Sequence, residues 1–231
     1  IGYALSDVRD QIYIATKTPA KTGEELKKDL EKSLSRLKTD HVDLYQFHNP
    51  AFCPKPGDGT GLYEAMLEAK KEGKIRFIGI TNHRLPVAVE AVESGLYDTL
   101  QFPFSYLSGE PDQELAHLCF EKNIGFIAMK PLAGGAIDDA PLAMRFLACD
   151  PDVTVAIPGM AEIKELEQNV AAFADCSPLT PEELQKMQAI RDSLGTQFCR
   201  RCNYCAPCAA GINIPIIFLI EGYYTRYNLK E

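Results

Sequence analysis

The stretch Val42-Asp43-Leu44-Tyr45-Gln46-Phe47-His48 decides how the chain is read, because it is an apolar, β-rich run ending in an ionisable ring and broken at once by Asn49-Pro50. Near-continuous apolar strands belong to parallel sheets covered on both faces. In α/β proteins the working groups gather at the carboxyl ends of such strands. A lone histidine at a strand end is also a common backbone-bonded core residue, so the neighbouring elements have to choose between the two.

Those neighbours repeat one rhythm. Upstream, residues 11–17 read Q-I-Y-I-A-T-K, a strand closing on Lys17, and Thr22 with Glu25 forms a capping box ahead of Leu26, Leu30, Leu34 and Leu37. Downstream, a turn-rich loop over residues 51–61 leads to a helix stopped by Gly73. Strands are expected over residues 75–81, 99–102, 124–129 and 153–157, alternating with helices over 86–95, 112–122, 141–148 and 161–174. The count is six βα units. A closed (β/α)8 TIM barrel needs eight strands, so six leave it open by a quarter. An open doubly wound sheet is the alternative, although no G-x-G-x-x-G follows a first strand.

Past Pro178 the rhythm ends. Thr180-Pro181-Glu182-Glu183 starts a helix with Leu184, Met187, Ile190 and Leu194 on one face, and Gly195 closes it. Residues 1–177 are therefore expected as a partial barrel and residues 178–231 as a helical, cysteine-rich extension. The apolar run Ile216-Ile217-Phe218-Leu219-Ile220 is too short to span a membrane and reads as a buried docking segment.

Composition narrows the partners. The 231 residues are 46% hydrophobic and 24% charged with net charge -8, which fits a globular protein without the basic clusters that nucleic acid demands. No signal peptide opens the sequence, so a cytoplasmic location is expected. Cys53, Cys119, Cys149 and Cys176 are scattered, whereas Cys199, Cys202, Cys205 and Cys208 recur at three-residue steps. Such crowding suits a metal site better than a disulfide framework. Soft thiolates select iron–sulfur clusters or zinc, and the unbroken run favours a [4Fe-4S] cluster over zinc.

Lys17 and His48 close consecutive strands, and parallel neighbours about 5 Å apart bring both tips to one edge. A lysine there lowers the pKa of a nearby phenol, and a histidine orients a carbonyl or donates a proton. Spacing alone leaves a surface lysine beside a core histidine equally open.

Ile1-Gly2-x-Ala4-Leu5, I-A-T-K at 14–17, D-H-V-D-L-Y-Q-F-H at 40–48 and G-I-T-N at 79–82 resemble the aldo/keto reductase family in order and spacing. The resemblance, covering residues 1 to about 174, implies a (β/α)8 barrel in which a nicotinamide cofactor, NADP or NAD, delivers hydride to a small carbonyl substrate. Lys17 matches the lysine that activates the family's catalytic tyrosine, and His48 matches the histidine that orients the carbonyl. The aspartate and the tyrosine would precede Ile1 together with the barrel's first two strands, and the chain is expected to be truncated at both ends.

Thr81, Asn82 and Gln101 resemble the residues that hold the nicotinamide carboxamide. Met129 stands where the family stacks an aromatic ring, in a segment running to Leu132. Gly159, Gln168 and Asn169 resemble the adenine and phosphate end. NADP-preferring members place an arginine where this chain has Glu165, which makes NAD a candidate, with Lys164 able to compensate.

The run from Cys199 to Pro215 resembles the motif of the family's iron–sulfur branch, departing from it at Ala209, where proline is usual. That branch commonly carries a second cysteine motif, which the chain does not reach, and the extension is expected either to exchange electrons with a redox partner protein or only to brace the barrel. The competing expectation is a catalytically silent nucleotide-binding or electron-transfer module.

Overall fold

The computed structural model describes residues 1–194, 199, 205–226 and 229. Six strands are found among them, hydrogen-bonded in chain order. They are β1 (Ala15–Thr18), β2 (Val42–His48), β3 (Ile75–Thr81), β4 (Thr99–Pro103), β5 (Gly125–Met129) and β6 (Val155–Ile157). Helices α1 (Gly23–Leu37), α2 (Leu62–Lys71), α3 (Leu85–Ser94), α4 (Glu110–Glu121), α5 (Ala140–Cys149) and α6 (Ile163–Ala174) alternate with them. Helices α7 (Pro181–Leu194) and α8 (Ile214–Arg226) follow. The chain divides into two compact units: Ile1–Asn82, Pro86–Gln101 and Leu118–Phe126 form the first, and His83–Leu85, Phe102–His117 and Ile127–Glu231 the second.

In the first unit β1, β2, β3 and the start of β4 run parallel. Helix α1 begins where Thr22 accepts the Glu25 N–H at 3.3 Å, and it buries Leu26, Leu30 and Leu34. The reciprocal capping bond goes instead from the Lys21 N–H to Glu25. Strand β2 starts and ends as its pattern predicts, with Tyr45 and Phe47 buried on one face.

At its start, the Asp43 carboxylate is nearly buried and receives Arg9, Arg76 and the Ile14 N–H at 3.0, 2.7 and 2.9 Å. Burial alone would raise its pKa, and these donors together hold it below the usual carboxylate value. That carboxylate also explains the short first strand. With the Ile14 N–H spent on Asp43 and residues Ser6–Gln11 wound into a 3₁₀ turn, pairing begins at Ala15 and not at residue 11.

The loop after β2 is anchored at several points. Asn82 Nδ2 donates to the Pro50 carbonyl at 2.8 Å, and the Tyr97 hydroxyl donates to the Pro54 carbonyl. The buried Cys53 thiol lies 3.8 Å from the Tyr97 oxygen.

In the second unit β5 pairs with β6 in parallel. Strand β6 starts at Val155, later than expected, because the 150–153 turn takes its own bonds: the Asp152 N–H donates to the Asp150 side chain and the Val153 N–H to the Asp150 carbonyl. On α7, Met187 is buried while Leu184 of the same predicted face is exposed. The expected burial of residues 216–220 is not observed. Ile216, Ile217 and Ile220 are about half exposed, since α8 is apolar around much of its circumference and cannot bury every side. No helix among the described residues is long and apolar enough to cross a membrane.

Gly79 lies at a tight point of the parallel sheet. A β-carbon there would sit 2.4 Å from Thr99 Oγ1 and 2.9 Å from Gln46 Cγ. Gly79→Ala is expected to cost about 2 kcal/mol by overpacking, measured by urea denaturation, whereas the same change at exposed Gly159, where nothing lies within 4 Å of the added carbon, is expected to be nearly neutral.

Candidate active site

Register builds the first part of the site. Lys17 on β1 lies opposite Gln46 on β2, and Gln46 opposite Gly79 on β3; one pleat further on, His48 lies opposite Thr81, and Thr81 opposite Gln101 on β4. Alternate residues of a strand share a face. The sheet therefore presents Lys17, Gln46, His48, Thr81 and Gln101 together at its carboxyl edge.

Their contacts are specific. Gln46 Nε2 donates to Gln101 Oε1 at 3.2 Å, and Lys17 Nζ makes a longer contact of 3.5 Å to the same oxygen. Gln46, Thr81, Asn82 and Gln101 are each at most 4% exposed. Partial burial holds the Lys17 ammonium below the ordinary lysine value. His48 is held below its ordinary 6.5, first by burial and then by the charge of Lys17. The pair thus combines a cation with a neutral imidazole, which can hydrogen-bond a carbonyl oxygen without itself carrying charge.

Asn82 is more committed than expected. Besides the Pro50 bond, its N–H donates to the Gln101 carbonyl at 3.0 Å, while the Asn49 N–H donates to the Thr81 carbonyl at 2.8 Å. Gln46 was not foreseen. Its signal was a polar residue at alternate spacing in an otherwise apolar strand, two positions before His48.

The second unit holds the remaining positions. Met129 is buried, and its carbonyl accepts the Phe104 N–H at 3.0 Å. The chain then turns through Lys130 and Ala133, both with positive φ, and closes on bonds from the Gly135 and Ile137 N–H groups to the Leu132 carbonyl. Lys130 Nζ donates to His83 Nε2 at 2.9 Å, a pairing that the sequence did not suggest.

A cleft of about 1340 Å³ in this unit is lined by Leu132, Gly159, Gln168 and Asn169, bringing four predicted cofactor positions to one cavity. Glu165 lines it too. Its carboxylate accepts the Ala161 and Glu162 N–H groups at 2.6 and 3.1 Å, and those bonds lower its pKa. A negative charge therefore already occupies the amino end of α6.

Of the four predicted metal-ligating cysteines, Cys202 lies outside the described residues. Among the described residues, no three histidine, cysteine or acidic side chains form a group that could hold a metal ion. Cys208 does suit a thiolate: the backbone N–H groups of Ile212, Ala210 and Gly211 lower its pKa. Such N–H groups around sulfur are compatible with an iron–sulfur ligand.

The aldo/keto reductase family matches residues 1–141. This chain belongs to that family. It is 27% identical over 242 residues to an uncharacterized oxidoreductase of Bacillus subtilis, YqkF, covering 82% of this chain and 77% of that one. A shorter match, 39% over 103 residues, joins 40% of this chain to 36% of the methylglyoxal reductase DkgB of Salmonella typhi. Among solved structures, the holo form of aldo-keto reductase AKR11C1 from Bacillus halodurans superposes with a TM-score of 0.69 at 26% identity, covering 82% of this chain and 75% of the other. The parallel α/β architecture is thus that of aldo/keto reductases, a family of NAD(P)-dependent oxidoreductases.

The His48 ring is expected to titrate below 6.5 by NMR. Lys17→Met moves its pKa upward by removing a like charge, without restoring 6.5, because burial is the larger cause. The unfolded chain takes up this proton first, so the contribution of His48 to stability falls as the pH drops below 6.5.

Proposed function

We propose that this aldo/keto reductase transfers hydride between a nicotinamide cofactor and a small carbonyl or alcohol substrate in the cytoplasm. The observation that carries the reading is the shared edge at which Lys17 lies 3.5 Å from Gln101 and His48 is held below its ordinary pKa by burial and then by the charge of Lys17. Neutral His48 would hydrogen-bond the carbonyl oxygen and fix its direction, and the Lys17 ammonium would lower the pKa of the family's catalytic tyrosine, which gives that oxygen its proton. Thr81, Asn82 and Gln101 would hold the carboxamide, Met129 would pack against the nicotinamide ring, and Leu132, Gly159, Gln168 and Asn169 would take the rest of the dinucleotide. When bound, the cofactor supplies the hydride.

The Glu165 carboxylate in the cleft argues for NAD over NADP, because it repels a 2′-phosphate. The reading extends to a [4Fe-4S] cluster on Cys199, Cys202, Cys205 and Cys208, serving electron exchange with a redox partner protein. Its support is the cysteine spacing and the N–H groups directed at Cys208.

In a form of the protein that also carries the catalytic tyrosine, Lys17→Met is expected to lower kcat/KM for small aldehydes by about 10²–10³-fold while leaving NADH binding, followed by fluorescence, intact. Unchanged turnover in that variant rejects the assignment. NADH binding without turnover of any carbonyl in that tyrosine-carrying form favours the silent nucleotide-binding module. Anaerobic purification is expected to yield a brown protein with iron and acid-labile sulfide in equal amounts; zinc in their place rejects the cluster.

A further inference from the structure

Two cysteines outside the 199–208 run lie at one junction of the second unit. Cys149 is the last residue of α5, and Cys176 lies just beyond the end of α6. Arg145, one turn before Cys149 and on the same side of α5, reaches the residue before Cys176: its Nη1 donates to the Asp175 carbonyl at 2.5 Å and lies 3.0 Å from Asp175 Oδ1. The Cys149 thiol reaches the residue after it, donating to the Ser177 carbonyl at 2.9 Å. Asp175 Oδ1 also accepts the Ser177 N–H and hydroxyl, so the turn around Cys176 is tied both to itself and to α5. The Cys176 thiol itself lies 3.9 Å from the Phe173 carbonyl, in the last turn of α6.

We propose that Cys149 and Cys176 form a reversible disulfide that fastens the end of α5 to the segment leading into α7. Exposure sets the order of events, since Cys176 faces solvent while Cys149 is partly covered and Cys53 and Cys119 are buried. A peroxide oxidises the Cys176 thiol to a sulfenic acid and leaves as water. The Cys149 sulfur then attacks Cys176 and expels a second water. The two thiols lose two electrons and two protons in all, and the peroxide takes them up.

The fastened segment continues into α7 within a few residues. There Arg145 also grips Glu183 through Nε and Nη2 at 3.1 and 3.3 Å, and Lys186 and Ile190 line the cleft. Oxidation thereby restrains the helix that borders the cavity.

The test uses the full chain, treated with hydrogen peroxide, alkylated and mapped by mass spectrometry. The expected result is a Cys149–Cys176 linked peptide pair that dithiothreitol releases, with a rise of about 5 °C in melting temperature and slower hydrogen exchange over residues 181–194. C176S, altered at an exposed side chain, is expected to keep the reduced chain's melting temperature and to lose the link, the rise and the slowing. Alkylation of both cysteines under conditions that oxidise other thiols overturns the proposal, as does linkage of Cys176 to a cysteine of the 199–208 run or to a second chain.

Discussion

A buried amide-to-amide hydrogen bond, Gln46 to Gln101, holds together the floor of the candidate site. It reaches from β2 to β4 across β3, and it can do so because Gly79 leaves room beneath it. Buried polar groups are costly unless paired. The bond therefore fixes more than two side chains: it sets where the Gln101 oxygen meets Lys17, and the register it shares places His48 beside Thr81. The electrostatics follow from that placement. Partial burial, and after it the charge of Lys17, lowers the pKa of the ring and so favours its neutral form, the one suited to presenting a single hydrogen-bond donor.

Much of this was legible in the sequence, for identifiable reasons. Strands β2 and β3 are seven residues each, apolar and sharply ended by Asn49-Pro50 and Asn82, so their limits could be read directly. Lys17 and His48 could be paired because consecutive strands of a parallel sheet end on the same edge. Gln46 could not, since its partner lies 55 positions away and depends on a glycine in the strand between them. The same limit applies to Asp43, an acidic residue within a strand whose meaning comes from Arg9 and Arg76 on distant segments. Boundaries slipped where side chains took over backbone bonds, at Ile14 and in the 150–153 turn. The isoleucines of α8 misled because hydrophobicity reports the tendency to be covered, not the presence of a cover.

The cleft of the second unit shows how a local rule can bear on chemistry. Glu165 serves as an ordinary capping residue for α6, and in that role it places a carboxylate where a helix would otherwise offer its positive end to an anion. One side chain thus meets a folding need and sets the charge on one wall of the cleft.

The loop after β2 carries a different lesson. Asn82 grips its first residues, and Tyr97, itself buried in contact with Phe47 and Tyr63, grips Pro54 near its middle. Aromatic packing and two carbonyl bonds make this segment a wall and not a door. The backbone that follows His48 is thus fixed at Pro50 and again at Pro54, so the strand end keeps its place without help from the exposed part of the loop.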